Sequence, residues 1–398
     1  MSAHHDIAID ALLADRPAPD TRGESHPTTG IKAALISTRA RLLAHLAHIS
    51  HHPCLVFDCA PPPRGRATLH HWLQTDHTAA AGEVEFNGAE LVRRLAGLPP
   101  QWQGLPVMLG AGFDHRPELA TRIARSHRLL GNDPDTLAMV SEPESFQEIV
   151  SHLKLPHVPV SDSPHGAGEW LTRHVNDEYD RHTLAATLDC SDALTRYYQR
   201  KLPGRRMLAI FAANGQSARV LGVGEYLMQG EVRIGAIGPL PLPPAIAKAI
   251  SRAVGRFAAE LGLLGLNRLD FILNDQGWFI ERLTGRLTDE IALFEGIAGQ
   301  GVLALHLAAI EGALPDVAPA TEHSVLNGIS RVIAPRPILV GRTPFADWVL
   351  DPPAPGQVIN RGETLCTVQA SGTSQDELRA TLRLRGERLV RAAPSISM

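Results

Sequence analysis

Two carboxylate residues, Asp270 and Glu281, lie on either side of a turn in the segment GLNRLDFILNDQGWFIE, residues 265–281. The apolar residues around each acid predict two short strands, and the sequence NDQG at 274–277 supplies turn-forming residues between them. A hairpin of this kind brings both carboxylates to one end of a sheet. Because two carboxylates at one place are costly unless a cation lies between them, the pair indicates a Mg²⁺ site. Such a site is typical of proteins that act on phosphate-bearing substrates.

The first third of the chain contains the elements of a parallel sheet. Short apolar runs alternate with stretches of helical periodicity, which is the pattern of an α/β domain. We therefore predict a first α/β domain over residues 30–130. The strand-like runs are Ala33–Ser37, Cys54–Asp58 and Pro106–Gly110, and the helical stretches are Ala40–Ile49 and Pro117–Leu130.

The remainder of the chain predicts a mixed α+β body around the acid pair. A long helix over Pro243–Leu263 carries apolar residues at spacings of three and four, which favours one buried face. Residues 324–370 are rich in strand-forming and turn-forming residues, which predicts strands joined by turns. Residues Gln375–Val390 predict a closing amphipathic helix. The other expected helices are Glu142–Leu153 and Thr288–Glu311, and the expected strands are Trp170–Val175, Thr195–Gln199, Met207–Ala212 and Ser217–Gly222.

Composition excludes several classes of protein. With 44% hydrophobic and 20% charged residues, the chain is typical of a soluble globular protein, and a formal net charge of −4 gives no support for nucleic-acid binding. No apolar run approaches the ~20 residues that span a bilayer. The four cysteines are scattered, which indicates reduced thiols and a cytoplasmic location, and the 19 histidines show no zinc-binding spacing. Residues 1–29 predict a disordered tail.

Five segments in order resemble one known group. They read MLGAGFDHRPEL from residue 108, YYQRKLPGRRMLAIFAANGQSARVLG from 197, GAIGPLPLP from 235, the acid-bearing segment itself, and DWVLDPPAPGQVINRGETLCTVQASG from 347. Together they resemble the ATP-grasp superfamily of carboxylate–amine ligases, and within it the predicted carboligases related to biotin carboxylase. The resemblance runs from about residue 106 to the C-terminus.

The resemblance implies a fold and a domain order. The fold class is α/β and α+β, an ATP-grasp fold with an N-terminal Rossmann-like pre-grasp domain. The implied order is a tail at 1–29, the pre-grasp domain at 30–130, a two-lobed ATP-grasp body at 131–312, and a C-terminal β-rich segment with its closing helix at 313–398.

The resemblance also implies an activity and a set of site residues. ATP and Mg²⁺ would convert a carboxylate into an acyl phosphate, which an amine attacks to form an amide, with small molecules as both substrates. By position, Asp270 and Glu281 match the metal ligands, Arg173 matches a phosphate-binding Lys, and Arg286 matches a catalytic Arg. The residues that match the hinge along the adenine are Gln199, Arg200, Lys201 and Leu202.

Three departures from the family pattern leave alternatives open. Leu283 replaces a metal-binding Asn, the loop at 174–180 (HVNDEYD) has acids where the family has glycines, and Arg173 replaces a Lys. The chain is therefore either an ATP-dependent ligase, for which relatives suggest one-carbon cofactor biosynthesis, or a catalytically degenerate scaffold or subunit. A third hypothesis is a module that binds a polyglutamylated cofactor without chemistry. A homodimer is common in the superfamily.

Each candidate residue also has a structural interpretation. Asp270 could be satisfied by backbone N–H groups or by Arg268, and Glu281 could form an ion pair with Arg282 or Arg286. Arg173 could be a solvated strand charge, and residues 199–201 an ordinary polar strand end.

Overall fold

The structure is a computed structural model of the 398-residue chain. It describes residues 30–60, 71–75, 77–80, 83–114, 116–166, 168–174, 183–184, 196–230, 232–342 and 345–392. The predicted tail at 1–29 and most of the acidic loop at 174–180 lie outside the described residues. No described helix is both long enough and apolar enough to cross a membrane.

The first part of the chain forms a four-stranded parallel sheet in the order β3-β2-β1-β6, as the alternation of strands and helices predicts. The backbone N–H of Ala40 donates to the carboxylate of Asp58 at 2.9 Å, which ties the start of the first helix to the end of the second strand. The elements are β1 Ala33–Ile36, α1 Ala40–Ile49, β2 Cys54–Asp58, β3 His71–Gln74, β4 His77–Ala80, β5 Glu83–Phe86, α2 Gly88–Ala96, β6 Val107–Leu109 and α3 Pro117–Ala124.

Two helices and a small antiparallel sheet follow. The sheet has the order β7-β10-β8-β9, and Arg173 on β8 lies opposite Tyr197 on β10. The carboxylate of Asp133 caps the first of these helices by accepting from the backbone N–H of Thr136 at 2.8 Å. The elements are α4 Pro134–Ser141, α5 Pro143–His152, β7 Val160–Ser161, β8 Trp170–His174, β9 Thr183–Leu184 and β10 Arg196–Arg200.

A seven-stranded antiparallel sheet forms the centre of the molecule, in the order β15-β14-β11-β12-β13-β16-β19. Its last strand and the final helix come from the C-terminal segment. The elements are β11 Arg205–Asn214, β12 Ala218–Gln229, β13 Val232–Gly238, α6 Pro244–Leu261, β14 Leu264–Asn274, β15 Gly277–Thr284, α7 Val302–Ile310, β16 Leu326–Ile333, β17 Ile338–Leu339, β18 Val358–Ile359, β19 Thr364–Gly372 and α8 Gln375–Ala392.

The prediction of a helix over Thr288–Glu311 is wrong for the first half of that range. Residues 289–294 and 297–299 form short 3₁₀ segments, and the α-helix begins only at Val302. Gly296 has a φ of 76° and Ala298 a φ of 55°, which lie outside the helical region. Ile291, Leu293 and Phe294 of this stretch are buried although its backbone is not α-helical.

The two faces of the large sheet contact different parts of the chain. One face, with Met207 and Phe211 of β11, packs on the long helix α6 through Phe257. The other face, with Leu208 and Ile210, belongs to the core that includes residues of the first sheet and helix α1. We call this second face the inner face. The alternation along β11 therefore places every second side chain between the large sheet and the first domain.

His306 connects the first sheet region to the large sheet. Its Nδ1 accepts from the backbone N–H of Leu266 at 2.9 Å, and its Nε2 donates to the backbone oxygen of Leu130 at 3.1 Å. These two bonds require the neutral ring with its proton on Nε2. Burial lowers the pKa of His306 from 6.5 to about 4, although the bond to Leu130 acts in the opposite direction.

We expect His306 to make stability depend on pH. Because its pKa in the folded state lies below the unfolded value, its contribution is complete above about pH 6.5 and is lost as the pH falls toward 4. The loss is about 3 kcal/mol over that range. Urea unfolding at a series of pH values should show this slope in the wild type and a shallower slope in His306→Gln. The exposed His323→Gln is the control, and equal slopes in all three proteins would contradict the expectation.

Candidate functional site

The acid pair lies on the hairpin of β14 and β15, as the sequence predicts. Asp270 pairs with Arg282, but the next pair is Phe271 with Ile280, so Glu281 is an extra residue in a β-bulge. The bulge allows Glu281 and Arg282, although adjacent, to reach charged groups of the same region. Both carboxylates lie at the end of the inner face where arginine side chains contact them.

Asp270 is 1% exposed and is surrounded by three guanidinium groups. Arg268 contacts it through Nε at 3.0 Å and Nη2 at 3.1 Å, Arg282 through Nε at 3.5 Å, and Arg233 through Nη2 at 3.6 Å. The hydroxyl of Tyr226 donates to the same carboxylate at 2.6 Å. Burial alone would raise the pKa of Asp270, but attraction by the three arginines outweighs burial and holds that pKa well below its usual range.

The arginines around Asp270 share a second acid. Arg268 donates to Glu290 at 2.7 Å, and the pKa of Glu290 falls to about 2 because its attraction to Arg268 and Arg233 exceeds the cost of burial. Arg233 lies over the ring of Tyr226, with its guanidinium carbon 3.6 Å from the ring centroid. Burial, with repulsion from the neighbouring arginines, lowers the pKa of Arg233 to about 9 despite the attraction of Asp270.

Glu281 connects the large sheet to the small one. Its side chain is 3% exposed and accepts from Nη2 of Arg173 on β8 at 2.7 Å, while Nη1 of Arg206 lies 3.8 Å away. The side chain of Gln199 on β10 donates to the backbone oxygen of Glu281 at 3.1 Å. The structure therefore brings Arg173, Gln199 and Glu281 together, with Arg173 facing a carboxylate and not solvent.

As arranged, the residues around the two acids do not fit a Mg²⁺ ion. Magnesium requires several oxygen ligands in near-octahedral geometry, whereas the carboxylate of Asp270 is enclosed by guanidinium groups that would repel a cation. Among the residues that the structure describes, no group of three or more His, Cys, Asp or Glu side chains could hold a metal ion. Leu283, at the position of the expected Asn ligand, is 1% exposed and packs in the core on the opposite face. The metal role of the pair remains a prediction that this arrangement does not support.

Arg286 is held by a carboxylate from the first domain. Its Nε donates to both oxygens of Asp114 at 2.9 Å, and its Nη2 contacts one of them as well. Asp114 follows β6, and attraction to Arg286 outweighs burial so that the pKa of Asp114 is lowered. The structure thus places Arg286 in a bidentate ion pair between the first domain and the large sheet; its predicted catalytic role remains a prediction.

The stretch predicted to bind adenine, residues 199–202, lies at the end of a strand. Two of its backbone N–H groups already donate to other residues. The N–H of Arg200 donates to Pro159 at 3.0 Å, and the N–H of Lys201 donates to Glu169 at 2.9 Å. The Lys201 side chain pairs with the Glu169 carboxylate at 3.1 Å, and Arg200 stacks on Trp170. Leu202 follows directly after these residues and is half-buried. An adenine role for residues 199–202 remains a prediction.

Three of the five arginines around the two acids could be named from the sequence, whereas Arg206 and Arg233 could not. Arg268 could be found, because residues two apart on a strand share a face with Asp270. Arg206 and Arg233 carry no such signal, since they come from β11 and β13 and meet Asp270 and Glu281 only through the order of strands in the sheet. The further residues that the sequence did not reveal are Tyr226, Asp114 and Glu290.

The architecture matches several solved enzymes. The L-amino acid ligase from Bacillus licheniformis is 13% identical, with a TM-score of 0.66 over 90% of this chain and 97% of that chain. N5-carboxyaminoimidazole ribonucleotide synthetase from Thermus thermophilus is 15% identical, with a TM-score of 0.64 over 92% and 100%. The biotin carboxylase domain dimer of Hydrogenobacter thermophilus 2-oxoglutarate carboxylase, solved with MgADP, ADP and bicarbonate, is 12% identical, with a TM-score of 0.68 over 91% and 90%.

These similarities establish the fold and not the activity, because all three identities are far below 25%. No family model matches the chain, and no curated protein matches it at the level of sequence. Along the chain, a parallel first sheet is followed by a small antiparallel sheet and a large antiparallel sheet. The chain therefore has the ATP-grasp fold, with an N-terminal α/β domain and a mixed α+β body.

Proposed function

We propose that this protein is an ATP-dependent carboxylate–amine ligase that forms an amide through an acyl phosphate. ATP, with its Mg²⁺, would be the phosphoryl donor, and a small carboxylate and a small amine would be the other substrates. The fold supports this proposal, since the solved neighbours include an L-amino acid ligase and a carboxyaminoimidazole ribonucleotide synthetase.

The observation that carries the proposal is the convergence of arginines where the small and large sheets meet. Arg173 comes from the small sheet, and Arg206 and Arg282 come from the large one, all within 4 Å of the acid pair. Guanidinium groups recognise phosphate and carboxylate oxygens with two parallel hydrogen bonds. A ligase of this class must hold both a phosphate chain and a carboxylate, so this chemistry matches its substrates.

The finer assignment concerns the pathway. Relatives in the group that the sequence resembles suggest synthesis of a one-carbon carrier cofactor, with an amino acid such as glutamate as the carboxylate. A cytoplasmic homodimer is part of the same proposal; one solved neighbour is described as a dimer.

A second candidate function has one observation in its favour. Both acids of the expected metal pair are held by arginines, and Leu283 packs in the core, so the metal-binding apparatus of the fold is incomplete in this chain. An incomplete metal site of this kind is expected in a scaffold or subunit that kept the fold and lost catalysis.

The experiment that separates the two functions measures ADP release. The purified protein is incubated with ATP, Mg²⁺ and a panel of amino acids and amines, and ADP is followed together with the mass of any amide formed. The ligase proposal predicts ADP release that requires both co-substrates and a thermal shift with ATP alone. Absence of a thermal shift and of calorimetric heat at millimolar ATP would reject it in favour of the scaffold.

A further inference from the structure

We propose that arginines, and not a metal ion held by Asp270 and Glu281, are the positive charges that this protein contributes to a phosphate-bearing ligand, and that the two acids position those arginines. The inference deepens the proposed function and rests on it only for the location of the ligand. It concerns five residues that we call the arginine cluster: Arg173, Arg206, Arg233, Arg268 and Arg282.

The first support is which groups a ligand can reach. The side chains of Asp270 and Glu281 are 1% and 3% exposed, so each carboxylate is covered by its partners. Arg206 and Arg282 are 13% and 18% exposed at the same place. Glu290, the third carboxylate here, is 14% exposed. A ligand can therefore reach two guanidinium groups, which attract an anion, but neither Asp270 nor Glu281.

The second support is the arrangement around Asp270. Its Oδ1 accepts from the Tyr226 hydroxyl, and its Oδ2 accepts from Nη2 of Arg268. Arg233 and Arg282 lie 3.6 Å and 3.5 Å from Oδ2 as ion pairs. Because a guanidinium group has a fixed planar fork, a carboxylate that holds one edge determines where the other edge points. Asp270 is therefore a positioning residue for Arg268, and its charge also attracts Arg233 and Arg282.

The test uses inorganic tripolyphosphate as the ligand, because it has the phosphate chain of ATP and no adenine. Calorimetry on the full chain is carried out at fixed ionic strength, once with Mg²⁺ and once with EDTA. We expect the wild type to bind with dissociation constants that agree within about twofold in the two buffers. Arg206→Gln and Arg282→Gln should each weaken binding by about tenfold or more, the loss of one charge-assisted hydrogen bond.

Arg205→Gln is the matched control. Arg205 neighbours Arg206 on β11 but pairs with Glu225 and has a side chain that is 50% exposed, outside the arginine cluster. It should bind within about twofold of the wild type, which separates a site from general attraction between charges. Because the EDTA comparison needs only the wild type, it decides the question even if a variant does not fold.

Three results would overturn the inference: binding that appears only with Mg²⁺, no binding in either buffer, or equal weakening in Arg205→Gln and Arg206→Gln. The outcome is independent of the ligase assay. Metal-independent binding without ADP release would contradict the ligase proposal and support the inference. ADP release combined with Mg²⁺-dependent binding of tripolyphosphate would support the ligase proposal and contradict the inference.

Discussion

Asp270→Asn should lower the free energy of unfolding by about 3–5 kcal/mol, which is the usual cost of removing one partner from a buried ion pair. The substitution keeps the size of the side chain and removes its charge. Arg233, Arg268 and Arg282 would then repel one another in a buried region, with Glu290 as their remaining carboxylate among the contacts described above. Urea unfolding followed by tryptophan fluorescence measures the change.

The matched control for this substitution is Asp275→Asn in the turn of the same hairpin. Asp275 is exposed, and the same chemical change there should alter stability by no more than about 0.5 kcal/mol. Added tripolyphosphate should recover part of the loss in Asp270→Asn, because an anion would restore the missing negative charge. A loss below about 1 kcal/mol, well under the usual cost of breaking a buried pair, would show that the arginines do not depend on Asp270.

Arg286→Met should lower the free energy of unfolding by about 2–4 kcal/mol, because it leaves the carboxylate of Asp114 without its bidentate partner. The side chain of Asp114 is 22% exposed, which places the expected loss toward the lower end. A double-mutant cycle with Asp114→Asn should give a coupling energy of at least about 1 kcal/mol. Arg286→Lys should retain only part of the stability that Arg286→Met loses, since an ammonium group lacks the planar fork of a guanidinium group.

The same variants decide between two roles for Arg286. If Arg286 acts in catalysis and not in the junction of the domains, Arg286→Met would abolish ADP release without a change in unfolding, and the coupling to Asp114 would be close to zero. If it joins the first domain to the large sheet, stability falls and Asp114→Asn has a comparable effect. Measuring both quantities on both variants separates the two roles.

Much of the fold could be predicted from the sequence because its elements have clear periodicity. The helix Ala40–Ile49 and the strand Cys54–Asp58 occur at the expected bounds, and the long helix was expected as Pro243–Leu263 and is found as Pro244–Leu261. The strand Val232–Gly238 was not predicted, since its text has two glycines and little alternation. Its pairing with β12 and β16 decides its conformation, and that information is not local.

The candidate site could be predicted only where the interacting residues are close together in the sequence. The hairpin that carries Asp270 and Glu281 is local, and the structural alternative that Arg268 satisfies Asp270 follows from strand geometry. Glu281 was expected to pair with Arg282 or Arg286, but its partners are Arg173 and Arg206, from two other strands. Those partners lie 108 and 75 residues away in the chain, so no spacing rule identifies them.

The bulge at Glu281 has a consequence for how this sequence can change over time. Side chains alternate along a strand, so one residue lost between Phe271 and Glu281 would exchange the charged and apolar faces of β15. Ile280 and Leu283 would then leave the core, while Arg282 would enter it. We expect relatives of this chain to vary in loop length elsewhere and to keep the number of residues between the two acids.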